Sequence, residues 1–445
     1  MVNGRAVSAV HGLLALALSL RFAAGAEYDP AEVLRRATEK IMANESRLPN
    51  YTCVETVTRD FFRAAATTVP RECSVLMKQK QHPTPDVPLW PVLTDRLRLD
   101  VTMVQRGEIF SWVGGSQFED AGIEHMVHNG PIGTGAFGGF LDVVFRSDAP
   151  KFTFEKYVLV EGRALLEYSF EVPKASSHYK VQLDDSWVFT GYSGTIQVDP
   201  ETAGLVRMTV QTAELPAITG ECMSITGLDF GMAQIGNERF ILPARARQRF
   251  VNRNGQEVEN NTTFANCREY RSESTISFAR EQPVTGVGEA IAPAKSPTVP
   301  EGLRFALELT TPIHADTAAA GDPFAGRLTG PLRDAQRRVL ARAGSLVEGR
   351  LLRVEIFHVP PVEVIVVLKP LTLEVNGSKV RFAAVRDSTR VWAVVRNKGK
   401  KGVNLALPLP GEEHAGVFEF MGEHVVVRKG MRSDWRTVGS GRKGT

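Results

Sequence analysis

From Tyr51 onward the chain repeats apolar residues at every second position, and this alternation limits the fold more than any other feature. Leu97, Leu99, Val101 and Met103 point to one side while Arg96, Arg98, Asp100 and Thr102 point to the other, as in a strand with one wet face. Short runs of the same kind recur at 107–113, 152–160, 164–172, 192–198, 205–212, 222–232, 239–251 and 261–270. Gly162, Asp199-Pro200, Gly236-Asn237 and Asn254-Gly255 punctuate them as turns. The spacing predicts an antiparallel, mostly sequential meander. Asp29-Pro30 with Glu32 marks a helix start, and Val33, Leu34, Ala37, Ile41 and Leu48 supply its apolar stripe up to about Arg47. Midway, 119–128 and 134–146 read as two short helices around a glycine-rich turn, with Phe137, Phe140, Leu141, Val144 and Phe145 on one flank and Thr134 as the cap of the second. The fold class expected is mainly β (α+β): an antiparallel curved half-barrel with an N-terminal helix and inserted helices, followed by a second, smaller β-barrel.

The boundaries expected are a signal peptide at 1–26, the half-barrel at 27–278, a Pro/Gly/Ala linker at 279–298, the small barrel at 299–438 and a disordered tail at 439–445. Arg5 precedes an uncharged run from Gly12 to Leu20, and Ala24 and Ala26 stand where a signal peptidase would cut before Glu27. This predicts a periplasmic or secreted protein. No later run approaches the 18 or so apolar residues of a membrane helix. In the second region, Val299–Leu303, Leu340–Leu346 and Val427–Met431 each read as strand, glycine turn, strand. Val362–Leu368, Leu371–Val375, Lys379–Val385 and Arg390–Val395 complete its sheet.

An exported chain with four cysteines implies two disulfides, and the spacing of Cys53, Cys73, Cys222 and Cys267 fits no zinc motif. On a meander, Cys222 and Cys267 would stand on the order of 30 Å apart, too far to bridge. The preferred pairing is Cys53 with Cys267 and Cys73 with Cys222, which lays the first strand beside the last and curls the sheet. The net charge of +3 conceals an asymmetry: residues 27–300 carry 28 basic and 35 acidic side chains, and residues 301–445 carry 23 and 15. A solvated β surface accounts for the basic half more simply than a polyanion or headgroup partner.

Motifs of catalysis lack their context. Gly133-Thr134-Gly135-Ala136-Phe137-Gly138 fits GxGxxG, but no parallel βαβ unit surrounds it. His125 and His128 are three apart, not the four of a zinc protease helix. Gly191-Tyr192-Ser193-Gly194 lacks the last glycine of a nucleophile elbow. No catalytic, cofactor or metal residue is assigned, no nucleic acid is expected, and an envelope hydrolase stays a minor alternative.

The N-terminal helix, long meander and inserted helices resemble the outer-membrane lipoprotein carrier family (LolA and LolB). Gly194–Thr202 followed by Leu205–Met208 is similar to that family's strand, Asp-Thr turn and apolar restart. Leu48–Cys53, Phe110–Gly114 and Asn266–Tyr270 look like segments of exported proteins of the Acidobacteria type, a group without a known activity. Thr311-Pro312-Ile313 and Gly321-Asp322-Pro323 resemble β-barrel modules of the TrbI type. The carrier resemblance implies a non-catalytic envelope protein that binds a lipid or other hydrophobic group, with Phe110, Trp112, Phe137, Phe140, Phe152 and Phe154 as the lining. The alternative is an assembly protein with a solid half-barrel and an envelope protein partner.

Overall fold

The computed structural model describes residues 28–64, 72–81, 89–104, 107–115, 118, 123, 126–127, 130–146, 150–177, 179–183, 186–270, 298–387 and 411–439. The expected signal peptide with Ala24 and Ala26, His125, His128, nearly all of the expected linker, the segment 390–395 and the residues beyond 439 lie outside the described residues. So do most of the residues 119–128 expected as the first inserted helix.

Helix α1 (Pro30–Arg47) begins where proline and an Asp29 side chain accepting from the Ala31 amide set it. Its stripe of Val33, Ala37 and Ile41 is buried. Strands β1 (Tyr51–Ala64), β2 (Leu89–Val104), β3 (Gly107–Trp112), β4 (Thr153–Val160) and β5 (Arg163–Val172) follow, with helix α2 (Cys73–Gln81) between β1 and β2 and helix α3 (Gly139–Arg146) after β3. A separate hairpin of β6 (Lys180–Leu183) and β7 (Ser186–Phe189) precedes β8 (Tyr192–Asp199), β9 (Gly204–Thr212), β10 (Glu221–Ile235), β11 (Glu238–Asn252) and β12 (Glu257–Glu269). All pairings among these strands are antiparallel, in the order β4-β5-β8-β9-β10-β11-β12-β1-β2-β3. The meander is sequential except that β1 slots between β12 and β2, which bends the sheet over α1 and α3. Disulfides join Cys53 to Cys267 across β1 and β12, and Cys73 of α2 to Cys222 of β10.

The second region contains β13 (Arg304–Leu309), β14 (Ile313–His314), β15 (Pro323–Leu328), β16 (Leu332–Arg333), β17 (Val339–Ala341), β18 (Leu346–Phe357), β19 (Glu363–Val375), β20 (Ser378–Arg381), β21 (Ala383–Arg386), β22 (Gly416–Met421), β23 (Val426–Val427) and β24 (Arg432–Val438). Its main course runs β21-β24-β13-β15-β18-β19-β22. The Arg386 amide reaching the Ala415 carbonyl at 3.4 Å nearly closes the ring. Strand β19 continues through Pro370, where the sequence pattern splits it in two.

The two regions share one 18-stranded sheet. The edge of β2 opposite β1 is divided among three segments: β18 pairs with Leu93 to Asp95, Ala320 bridges Leu97, and β3 pairs with Leu99 to Val104. Gly321, at φ +103°, permits this approach, since a side chain there would strike the Arg98 carbonyl and the Trp112 ring. Arg98 also bonds Asp322. Two apolar cores remain distinct, one between the half-barrel and its helices and one inside the small barrel.

Candidate functional site

The concave face of the half-barrel is an aromatic bed under an inserted cover. Phe137 packs as a tilted ring with centroids 5.1 Å from Tyr51 and 5.4 Å from Phe264. Phe140 lies 5.7 Å from both Tyr179 and Tyr192, and Phe145 5.5 Å from Phe152. Of the proposed lining, Phe110, Phe137 and Phe140 are buried, while Trp112, Phe152 and Phe154 are partly buried against the same core. All six therefore belong to one continuous surface, and it is filled by the chain's own side chains. Burial of each such ring is worth about 1.5–3 kcal/mol.

The cover is not the helix that the sequence pattern predicts. Helix α3 begins at Gly139, five residues after the expected cap Thr134. Residues 134–138 turn instead because their amides serve a buried carboxylate: Gly135 and Phe137 donate to Glu108 of β3, each at 2.8 Å. The glycine-rich segment does cradle an anion, but that anion is the protein's own side chain. Burial raises the Glu108 carboxyl, and these amides, with those of Gly138 and Gly139, pull it back down. Beneath, Glu55 is buried with Oε2 lacking a hydrogen-bond partner among the described residues. Its carboxyl is pushed up to about 8, first by burial and then by repulsion from Glu108. At neutral pH it is held mainly as the neutral acid.

A row of polar side chains crosses the same face. Asp95 (β2), Arg59 (β1), Asn260 (β12), Gln248 (β11) and Thr226 (β10) are register partners on adjacent strands. All are buried. Their periodicity places them on the side of Leu97, Val57, Phe264, Ala246 and Leu228. Arg59 gives Nε to Asp95 Oδ1 at 2.7 Å and Nη2 to Oδ2 at 2.5 Å, so its charge is matched inside the core. The loop at 130–133 lies directly on the row: Asn260 Nδ2 donates to the Pro131 carbonyl at 3.2 Å. A Cβ on Gly133 would overlap the Gln248 amide, and one on Gly130, at φ +72°, would overlap the Phe61 ring.

At the seam with the small barrel the row meets a second buried charge cluster. Asp95 pairs in register with Glu355. Arg353 bonds Glu355 at 3.0 Å and Glu412 at 2.9 Å and 3.0 Å. A cavity of about 30 Å³ lies here, lined from both regions and by Met126 and Val127 of the cover. That is room for about one small molecule such as water. Burial raises the Glu355 carboxyl, with Arg353 opposing.

Tyr192 and Ser193 of the Gly191–Gly194 motif lie at the start of β8, where Tyr192 packs in the aromatic bed. Among the described residues no group of three or more His, Cys, Asp or Glu is placed to hold a metal, and no helix is long and apolar enough to cross a membrane. Sequence reading missed the polar row, Glu55 and Glu108. The available signal was a polar residue on the otherwise apolar side of β1, at Glu55 and Arg59; on β12, where Thr262 shares the side of Asn260, alternation gives no such signal.

The class defined by this architecture is the antiparallel half-barrel over a helix, with a small β-barrel grown from one edge. No family model matches the chain, and no curated protein matches it. The chain is similar to a LolA superfamily protein of Nitrosomonas europaea, with 9% identity over 54% of this chain and 93% of that one, at a TM-score of 0.27. A DUF1329 family protein of Desulfovibrio piger matches at 10% identity over 54% and 95%, with a TM-score of 0.25. A chain of the MucA/MucB complex of Pseudomonas aeruginosa matches at 12% identity over 78% and 90%, with a TM-score of 0.16.

Proposed function

We propose that this is an exported, non-catalytic envelope protein whose concave face binds a lipid or another hydrophobic group, with Phe110, Trp112, Phe137, Phe140, Phe152 and Phe154 as the surface that receives it. One observation carries the reading. The cover of that face is tied to β3 by the single carboxylate of Glu108 and rests on buried polar atoms without partners among the described residues, Glu55 Oε2 and Asn260 Oδ1. Native interiors rarely leave such groups unpaired without a functional reason. A cover seated on them is a surface that can exchange for a better-matched occupant. The two disulfides support export, because such bonds persist in oxidising compartments. The division into 27–278 and 299–438, linked by 279–298 with a tail at 439–445, belongs to the same proposal.

A second reading, an assembly protein with a solid half-barrel and a protein partner, is favoured by the packing of the aromatic bed and by the sheet continuity at β2. Native mass spectrometry of the protein purified from membranes separates the two. Acyl-lipid adducts that disappear on replacing Phe137 and Phe140 by aspartate support the carrier. A ligand-free protein that co-purifies with one stoichiometric envelope protein overturns it in favour of assembly.

A further inference from the structure

The polar row beneath the glycine-rich loop is the feature that a purely greasy binding face does not explain. Its members come from five consecutive strands of the sheet, so the row is built by register and not by chance proximity. Charge is balanced within it, because Asp95 holds Arg59 through two hydrogen bonds. Arg59, matched by Asp95, stands under the Gly130 end of the loop, and a neutral pair of carboxamides, Asn260 and Gln248, faces Pro131 and Gly133. Each carboxamide carries both donors and an acceptor. Asn260 is 1% exposed. Its amide nitrogen is satisfied by the Pro131 carbonyl, while its oxygen has no partner among the described residues. The present occupant cannot cure this, because proline has no N–H to offer. The Gln248 Nε2 donates to the hydroxyls of Tyr179 and Ser224, both at a long 3.4 Å. The Phe61 ring lies beside this point and Phe137 further along the bed, so a group seated on the row would have apolar surface next to it.

From this geometry we infer that the row is a subsite for an amide: a ligand group presenting C=O to the Asn260 nitrogen and N–H to the Asn260 oxygen, attached to an acyl chain lying on the aromatic bed. The Gly130–Gly133 loop is the internal stand-in, supplying the carbonyl half of that interaction only. This rests on the proposed hydrophobic-group binding and adds to it the chemistry of the head. Anionic heads are disfavoured, since the one buried cation in the row is already matched by Asp95 and since Glu55 and Glu108 stand under the same cover.

The test uses the full-length mature protein and three probes with the same twelve-carbon acyl chain: N-dodecanoyl glycinamide, methyl dodecanoate and dodecanoate. Dissociation constants are read by titration calorimetry. The amide is expected to bind about 10-fold tighter than the ester, which offers a carbonyl without N–H, and dodecanoate more weakly still. Asn260→Leu, checked for native fold by near-ultraviolet circular dichroism, is expected to bring amide and ester to equal affinity. Asn260→Asp, which keeps an acceptor and loses the donor, is expected to weaken both. Equal binding of amide and ester by the unaltered protein overturns the amide subsite while leaving hydrophobic-group binding standing, and this ranking decides even where a variant does not fold. Absence of binding by all three probes overturns both.

Discussion

The two cores of this molecule solve burial differently. The small barrel is lined mainly by aliphatic side chains, with Phe305, Phe324 and Phe418 beside a single tryptophan, Trp435, whose Nε1 donates to Ser433 at 2.9 Å. The half-barrel core is richer in aromatic rings, covered by an irregular segment, and crossed by charged and amide groups. Buried side-chain atoms without a hydrogen-bond partner, among them Thr52 Oγ1, Glu55 Oε2, Tyr192 Oη, Gln197 Oε1 and Asn260 Oδ1, belong to the first region; among the described residues the second leaves none. Unpaired burial costs about 1–3 kcal/mol per group. Glu55, Tyr192 and Asn260 stand on the core side of their strands, whereas Thr52 and Gln197 alternate with the core residues Cys53 and Ile196, so part of this misfit lies at the face proposed to bind and part on the outer face.

The largest expected effect tests whether the small-barrel core supports the half-barrel core. Trp435 is fully buried against Phe418, and Trp435→Ala is expected to lose about 3–5 kcal/mol in guanidinium unfolding. Because Leu93 to Asp95 pair with Glu355 to Phe357, amide protection in β1 and β2 should fall along with that of the barrel. Unchanged protection in β1 would show that the regions unfold independently and would break the contrast into two unrelated domains.

Next comes the tether of α2. Among the described residues, Leu76 and Met77 pack on a small cluster with Cys222, Val251 and Met223. Replacing Cys73 and Cys222 by serine is therefore expected to lower stability by about 2–4 kcal/mol and to free α2 to proteolysis before the remaining sheet is cut. Resistance of α2 in the double variant would show that packing alone holds it.

Glu55 sharpens the comparison through pH. Its carboxyl is raised from 4.5 to about 8 in the folded protein, so the stability tied to its neutral form is fully present below pH 4.5. That stability is lost as pH rises through about 8. Relative to Glu55→Gln, the unaltered protein should lose about 2 kcal/mol between pH 5 and pH 7, at up to about 1.4 kcal/mol per pH unit. Parallel pH profiles of the two proteins would remove Glu55 from the account. The smallest effect lies on the edge strand β4, where Leu159 is 76% exposed. Leu159→Ser should change stability by less than about 0.5 kcal/mol, and a larger loss would mean that this edge is covered in solution.

Much of the architecture was legible in the chain. The start of α1, the strands β3 to β5 and β8 to β12 and their turns follow from local rules, as alternation with glycine and Asn-Gly punctuation leaves few other pairings. The departures share a cause. Residues 134–138 fit a helix by composition, yet their amides turn to Glu108, 26 or more positions earlier in the sequence. Strand β19 runs on through Pro370 because β20 and β22 pair on either side of that position. Helix α2 and the β6–β7 hairpin carry no clear periodicity; α2 is seated instead by the bond to Cys222.

The candidate site divides in the same way. Phe110, Phe137 and Phe140 were recognisable as apolar positions on an amphipathic surface, because hydrophobic alternation is written residue by residue. That Arg59, Asn260 and Gln248 form one row, that Pro131 caps it without an N–H, and that β2 shares its edge with Ala320 and β18 were decided only by strand register and by the curl of the sheet. Periodicity is local and survives in a linear string. Register and edge sharing bring residues up to about 260 positions apart into contact, and they are chosen by the total free energy of packing, which no single stretch of sequence contains.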